Sequence, residues 1–362
     1  MTAPRPYDVL VVGGGVNGLA TAWQLARRGA GRIGLVERFA LGHDRGSSHG
    51  PTRITRSSYA EPHLVARMAE ANAEDWPALE AAAGRPLRRP CPTFFFGPAD
   101  GPIAAYAAAV AAAGGASAAA IDALSPAAAR AAAGGWLRID DTDAALHDRT
   151  GAVIEAAAVV EALVRLVAAG GVEVRQATAV RSIGGPPGGP VVVATDAGPL
   201  QAERVVVTAG PWIGRLLPSL AGRLTPLRQT VAFLDVPGDP TTAPNWVRVG
   251  AAGEREVFGQ PAFGHRGLKA AIHRQSGRPT PADDPDVAVP FAADAPAVAE
   301  LRAALARCLA VPVRGVVGGM TCLYTMTADH DFILGPLPHD PRIIVGAACS
   351  GHAFKFAPWT GR

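Results

Sequence analysis

The stretch VVGGGVNG, Val11 to Gly18, decides how the rest of the chain is read. It supplies G-x-G-x-x-G as Gly13, Gly15 and Gly18, directly after the β-rich run DVLVV (Asp8 to Val12). Gly13 permits a tight turn, Gly15 lets the backbone approach a pyrophosphate, and Gly18 allows close packing of helix on strand. The phosphates would sit at the N-terminus of the helix NGLATAWQLARRG, which closes at Gly29, a C′ glycine. RIGLVER follows as a second strand and ends on Glu37, at the spacing where an acid accepts hydrogen bonds from an adenosine ribose. A glycine triplet alone is a weak signal; after a strand, before a helix and ahead of an acid-terminated strand, it predicts a bound dinucleotide.

Composition bounds the rest. At 362 residues the chain exceeds the usual size of one hydrophobic core, so two domains are expected. With 18% charged and 49% hydrophobic residues it reads as globular, and the net charge of +3 comes without a Lys/Arg cluster of the nucleic-acid type. Arginine supplies almost all the positive charge, which singles out the late lysines Lys269 and Lys355. Cys91, Cys308, Cys322 and Cys349 are scattered, with no CxxC pair and no metal-ligand spacing, so neither a disulfide framework nor a metal site is expected. The segment MTAPRPYDVLVV lacks the charged and apolar regions of a secretory signal. The apolar run from Ala107 to Ile121 is mostly alanine with a Gly-Gly break, a poor membrane span. A reduced, soluble, cytoplasmic protein is the expectation.

Along the chain, the alanine-rich block from Pro102 to Gly135 predicts helices separated by GG and SP breaks. A helix is expected from Glu155 to Ala169, then a strand VEVRQATAV and a loop tip Gly184 to Pro190. Val205 to Thr208 and Arg342 to Ala348 read as buried strands running into glycine turns. Strand signals such as TVAFLDV and REVFGQP mix with Pro-rich loops between Leu224 and Val311. A discontinuous nucleotide domain is the predicted architecture, with a second, mixed-sheet domain inserted in two pieces. No internal repeat is present.

The loop GHDRGSSHGPTRITRSSY, Gly42 to Tyr59, packs His49, Thr52, Arg53 and Arg56 together. A nicotinamide dehydrogenase has no need of such a loop just beyond the ribose acid. Arg53 and Arg56, three apart, can share one face, or the segment is a solvated loop with ordinary surface arginines.

The combination of GGGVNG, SSHGPTRITR, RGLKAAIH, CLYTMTADHDFILG and SGHAFKF, in this order over nearly the whole chain, resembles the monomeric sarcosine oxidase and N-methyltryptophan oxidase family. These are FAD-dependent amine oxidases of the D-amino-acid-oxidase-like fold. The resemblance implies an α/β chain with a Rossmann-like, glutathione-reductase-like FAD domain (1–82, 150–215 and 320–362) and an inserted mixed α+β substrate domain (83–149 and 216–319). Cys322 matches the cysteine bonded through sulfur to the flavin 8α carbon; because such a bond needs a thiolate, a cationic neighbourhood lowering its pKa is expected. Arg56 and Lys355 match the pair that grips the substrate carboxylate, a planar fork beside a point charge. Arg53, His49 and Lys269 match positions near the flavin, Lys269 being the lysine linked through water to flavin N5, where its charge favours oxygen reduction. His273 and Tyr324 match residues of the substrate cavity. Thr52, Val174, Gly351 and His352 join Gly13, Gly15, Gly18 and Glu37 as implied cofactor contacts. Cys349, where relatives carry a bulkier apolar residue, reads as packing.

The implied reaction is oxidation of a secondary or N-methyl α-amino acid, with O2 as acceptor and H2O2 as product, by a monomer that binds neither nucleic acid nor membrane. The same scaffold could oxidise pipecolate or another cyclic imino acid, or pass electrons to an acceptor other than oxygen. A nicotinamide-dependent dehydrogenase fits the first 40 residues but leaves Cys322 and the lysine motifs unexplained. Relatives continue beyond SGHAFKF with several turns of helix facing the flavin; here only APWTGR follows, and weakened flavin retention with reduced activity is the corresponding expectation.

Overall fold

The computed structural model describes residues 5–251, 253–274, 280, 283–347 and 349–362. The run around DVLVV forms the strand Tyr7–Val12 and lies at the centre of an eight-stranded sheet. Its neighbours are Ile33–Val36 on one side and Gly198–Val207 on the other, both parallel to it. Asp340–Ala347 continues the parallel ladder beyond Gly198–Val207, and Glu173–Arg175 continues it beyond Ile33–Val36. Such strands are covered on both faces, which is why they read as continuous apolar runs. Leu10, Val11, Leu35, Val205 and Val207 are completely buried.

The helix Val16–Arg27 crosses back over this sheet and ends at Arg28, with Gly29 (φ +65°) as the left-handed residue that stops it. Its core face packs Leu19, Ala22 and Trp23 against the helix Ala156–Ala169, in the cluster that also holds Met68, Trp76 and Phe356. The expected strand VEVRQATAV divides at Ala177 (φ +50°) into Glu173–Arg175 and Val180–Gly184. The second piece pairs antiparallel with Val191–Thr195 across the predicted loop tip. The alanine-rich block gives the helices Ile103–Ala113, Gly115–Ala119 and Pro126–Ala132, with a strand, Ile121–Leu124, that its composition did not announce. The last predicted strand runs Asp340–Ala347; Ala348 lies outside the described residues.

A second eight-stranded sheet carries Thr225–Asp235 at its long edge pairing, between Gly315–Met326 and Leu268–Ile272. It then runs through Val257–Gln260, Asn245–Arg248, Thr93–Pro98 and Asp143–Asp148. Gly315–Met326 therefore belongs to this sheet through its whole length, so the span 320–362 starts inside a strand of the second sheet. A short three-stranded sheet of Thr52–Thr55, Ala152–Glu155 and Arg88–Pro90 lies between the two. It carries Thr52 and Arg53 out of the nucleotide unit toward the second sheet. No helix among the described residues is long and apolar enough to cross a membrane.

Gly18 shows how tightly the first turn is built. A Cβ there would lie 1.9 Å from the Gly13 carbonyl oxygen and 2.6 Å from Thr208 Oγ1. Gly18→Ala is expected to cost about 1–3 kcal/mol through overpacking. It should lower the thermal unfolding midpoint by several degrees; an unchanged midpoint would show that the helix is free to move off the strand.

Candidate active site

A cavity of about 740 Å³ runs from the glycine turn to the second sheet. At one end stand Gly13, Gly14, Gly15 and the first turn of the helix Val16–Arg27. Gly13 has φ +106°, and a Cβ on it would lie 2.6 Å from the Thr208 carbonyl oxygen, so no other residue fits the turn. Ser48 Oγ accepts the Val16 N–H at 2.9 Å, tying the loop beyond Gly42 to the helix start.

Glu37 sits beside this turn. Its carboxylate accepts the N–H of Gly14 (2.7 Å) and of Phe39 (2.8 Å) and lies 3.4 Å from His43 Nε2. Burial alone would push the Glu37 carboxyl up. His43 and the two backbone donors outweigh it and hold the group below the usual range, so the carboxylate is an obligatory acceptor.

Val174, expected among the cofactor contacts, does not line this cavity; it packs against the main core on the edge strand Glu173–Arg175. Because the chain turns at Ala177, it is the later stretch Thr178, Ala179, Val180 and Arg181 that lines the wall near Glu37. Gly18 serves helix packing rather than the cavity surface. The rim near Glu37 carries a cluster absent from the sequence reading. Asp286 accepts from Arg38 (2.6 Å), Trp212 (2.9 Å) and Arg215, fastening a loop of the second unit to the rim at the glycine-turn end of the cavity.

At the other end the predicted residues converge. Cys322 and Tyr324, two apart on Gly315–Met326, point to one face of the strand and both line the cavity. Lys269, on the adjacent Leu268–Ile272, donates to the Thr52 carbonyl (2.7 Å) and to Thr52 Oγ1 (3.2 Å), which in turn donates to Gln260 Oε1 at 3.1 Å. Thr52 thus stands behind the wall and holds Lys269 in it. Arg53 donates to the carbonyls of Thr52, Ser47 and His49 and lies 5.2 Å from the Phe354 ring centroid. His49 Nε2 donates to the Thr321 carbonyl at 2.9 Å, which leaves Nδ1 as a bare acceptor. Burial, helped by Arg53, keeps the His49 imidazole neutral by lowering its pKa.

The expectation for Cys322 is met only in part. Arg53 and Lys269 are the cationic neighbours it requires, but burial is the larger effect and pushes the thiol above its ordinary value. Cys349 also lines the cavity, its sulfur accepting the Thr325 N–H at 3.3 Å.

Arg56 and Lys355 come together around Tyr59. The Arg56 guanidinium lies 4.0 Å from the Tyr59 ring centroid and 4.8 Å from that of Phe95; Lys355 Nζ lies 5.7 Å from Tyr59 on the same ring system. Lys355 Nζ donates to the His352 carbonyl at 3.1 Å. The turn that aims Arg56 is fixed by Asp148, completely buried, whose Oδ2 accepts the N–H of Ser57 (2.7 Å) and of Ser58 (2.9 Å). Burial, then the nearby charges of Arg56 and Arg53, drives the Lys355 ammonium well below its ordinary pKa. Lys269 is lowered likewise by burial and Arg53.

The His273 ring meets the Tyr324 ring at a tilt (centroids 5.5 Å, 54°), and Gly351, at φ +82°, lies against both rings. A Cβ on Gly351 would lie 2.3 Å from Tyr324 and 2.7 Å from His273, so glycine is required there. His352 Nε2 donates to the His330 carbonyl at 3.0 Å; burial and Lys355 bring its pKa down to about 3. Glu256, also on the cavity wall, accepts from Tyr106 Oη at 2.8 Å.

Residues 8–362 match the family model DAO, FAD dependent oxidoreductase. The chain belongs to this family. It is 31% identical over 371 residues to the peroxisomal sarcosine oxidase of Mus musculus, covering 98% of this chain and 90% of the relative. It is 27% identical over 360 residues to the N-methyl-L-tryptophan oxidase of Yersinia pestis, with 98% and 93% covered. Among solved structures, NikD, described as an unusual amino acid oxidase, superposes in its open form with a TM-score of 0.82 at 26% identity, covering 99% of this chain and 92% of that one.

The residues present fit FAD. The glycine turn leaves room at the helix start, and Glu37 is a fixed acceptor beside it. At the far end four buried polar atoms on the cavity wall lack a partner: His49 Nδ1, Gln260 Nε2, Thr325 Oγ1 and His352 Nδ1. Orphaned groups of this kind are costly unless a ligand satisfies them.

The depressed lysines give a pH prediction. An anion bound beside Lys355 favours its ammonium, so binding takes up a proton between the free-site and bound-site pKa values. Affinity for a small carboxylate should therefore fall as pH rises through that window, by at most about tenfold per unit for one proton. Titrating acetate against the FAD-loaded protein across neutral to alkaline pH measures it. Lys355→Met should flatten the profile; a wild-type affinity independent of pH would contradict the assignment.

Proposed function

We propose that this chain is an FAD-dependent oxidase of secondary or N-methyl α-amino acids, of the sarcosine and N-methyltryptophan type. The observation that carries the reading is a pair of cations, half-buried Arg56 and buried Lys355, opening into the same cavity as Cys322 and Lys269. A substrate carboxylate would take the Arg56 fork and the Lys355 ammonium, gaining charge-assisted hydrogen bonds. Held there, the rest of the substrate would lie against Tyr324 and His273, whose tilted rings line one side of the cavity and would fix the direction of the reacting C–H bond. When bound, FAD supplies the redox chemistry, taking a hydride equivalent from the amine and delivering the electrons to O2. Lys269, anchored by Thr52, contributes positive charge where the reduced oxygen becomes negative. Water then hydrolyses the imine; with sarcosine, one O2 and one water give glycine, formaldehyde and H2O2.

Cys322 is proposed as the covalent FAD anchor. Arg53 and Lys269 flank its sulfur and would stabilise the thiolate that attachment requires. Gly13, Gly15, Glu37 and the stretch Thr178–Arg181 would hold the dinucleotide, with the nucleotide unit formed by 1–82, 150–215 and the chain after the strand Gly315–Met326. A cytoplasmic monomer completes the reading; four free thiols fit a reducing compartment.

Acid precipitation of the purified protein tests the anchor: the yellow colour should stay in the pellet, and Cys322→Ser should release it to the supernatant. Colour in the wild-type supernatant would sink the covalent link while leaving FAD binding intact. Peroxide release on sarcosine, N-methyltryptophan, pipecolate and proline tests the reaction. Arg56→Met should reduce kcat/KM by about two orders of magnitude, as loss of a bidentate charged contact implies. A variant as active as wild type would overturn the carboxylate assignment.

A further inference from the structure

Glu256 is a carboxylate of this cavity that the proposed chemistry leaves without a role. It directly precedes the strand Val257–Gln260, is half-buried, and lines the cavity. One carboxylate oxygen accepts from Tyr106 Oη at 2.8 Å. A carboxylate has acceptor capacity for about four hydrogen bonds, so sites remain for a ligand. The backbone fixes its position firmly: its carbonyl accepts the His273 N–H at 2.8 Å, extending the pairing of Val257 with Ile272.

The strand register sets Glu256 apart from the reacting centre. Lys269 is opposite Gln260 in the same pair of strands, four positions along from Glu256. At about 3.3 Å per residue that separation is about 13 Å. Glu256 is therefore too far along the cavity to receive the nitrogen that reacts beside Lys269 and Cys322. It lies instead on the Arg56 side: Arg56 is 5.9 Å from the Tyr106 ring centroid, and Tyr106 is the residue bonded to Glu256. Arg56 and Glu256 form no contact ion pair, although, against the effect of burial, the Glu256 charge helps raise the Arg56 pKa; a cation and an anion thus both face the substrate space.

We propose that Glu256 selects substrates whose side chain carries a second positively charged nitrogen, a diamino carboxylate with its carboxylate on Arg56 and Lys355 and its distal ammonium on Glu256. The inference rests on the reading of Arg56 and Lys355 as the carboxylate site. A neutral side chain gains no such charge-assisted contact from Glu256, and an acidic one meets a like charge there.

Binding to the FAD-loaded protein, read from perturbation of the flavin absorbance, separates the two assignments without turnover. δ-Aminovalerate and valerate present the same chain and carboxylate and differ only in the distal ammonium. δ-Aminovalerate should bind about tenfold tighter to the wild type, equivalent to about 1.4 kcal/mol. Glu256→Gln keeps an acceptor for Tyr106 while removing the charge; it should bring the two affinities within about twofold of each other and leave valerate nearly unchanged. Equal affinities in the wild type, or an unchanged ratio in Glu256→Gln, overturns the Glu256 assignment alone. Failure of both ligands to bind, or binding that Arg56→Met leaves untouched, overturns the carboxylate site and this inference with it. The same preference should appear in turnover of Nα-methyl-lysine over Nα-methyl-leucine, and Glu256→Gln should remove it through KM more than through kcat.

Discussion

Four cationic side chains, Arg53, Arg56, Lys269 and Lys355, are gathered around one cavity, and none pairs with a carboxylate among the described residues. Removing a charge from water costs several kcal/mol per ion unless something compensates. Here the compensation is partial: backbone carbonyls of Thr52, Ser47, His49 and His352, and the faces of Tyr59, Phe95 and Phe354. The two lysines answer by giving up protons readily. What remains is an electropositive site poised for anions, and the surrounding structure is arranged to hold it open.

That arrangement depends on where the two large sheets meet. The three-stranded sheet between them carries Thr52 and Arg53, and the Asp148 carboxylate ties the following turn to a strand of the second sheet. Trp76 Nε1 donates to the Lys355 carbonyl at 2.9 Å, so the last lysine is pinned from the nucleotide side. Lys269, Lys355 and the turn that carries Arg56 are thus each fixed by a residue distant in sequence, and Gly351 permits the close approach of Tyr324 and His273 that no side chain at that position would allow. The six residues after SGHAFKF fold as the helix Ala357–Gly361 with its flank, with Trp359 donating to Glu70 at 2.9 Å and Arg362 to Asp75 at 2.8 Å.

The nucleotide unit was legible because its signals are local. Gly13, Gly15, Gly18 and Glu37 act through turn geometry and strand termination within thirty residues, and the continuous apolar runs announce buried parallel strands. The cations and Cys322 became legible only as motifs of a known family, since nothing in the spacing of Arg56 and Lys355 says that they share Tyr59. Asp148, Asp286 and Glu256 were not legible at all: each depends on pairing between strands or loops far apart in the chain. Val174 marks the limit of reading a strand as uninterrupted. The left-handed Ala177 divides that strand and moves the wall-lining role to Thr178–Arg181. For Cys322 the resemblance implied a cationic neighbourhood, but not that Arg53 and Lys269 would supply it or that burial would outweigh them.

The account turns on whether these cations select a carboxylate next to the flavin. Anaerobic mixing of the FAD-loaded protein with the best N-methyl amino acid, and separately with its methyl ester, measures this through loss of the oxidised flavin absorbance. Replacing the carboxylate by an ester forfeits contacts worth about 3 kcal/mol or more, so flavin reduction by the ester should be roughly a hundredfold slower at equal subsaturating concentration. Equal rates for acid and ester would contradict it.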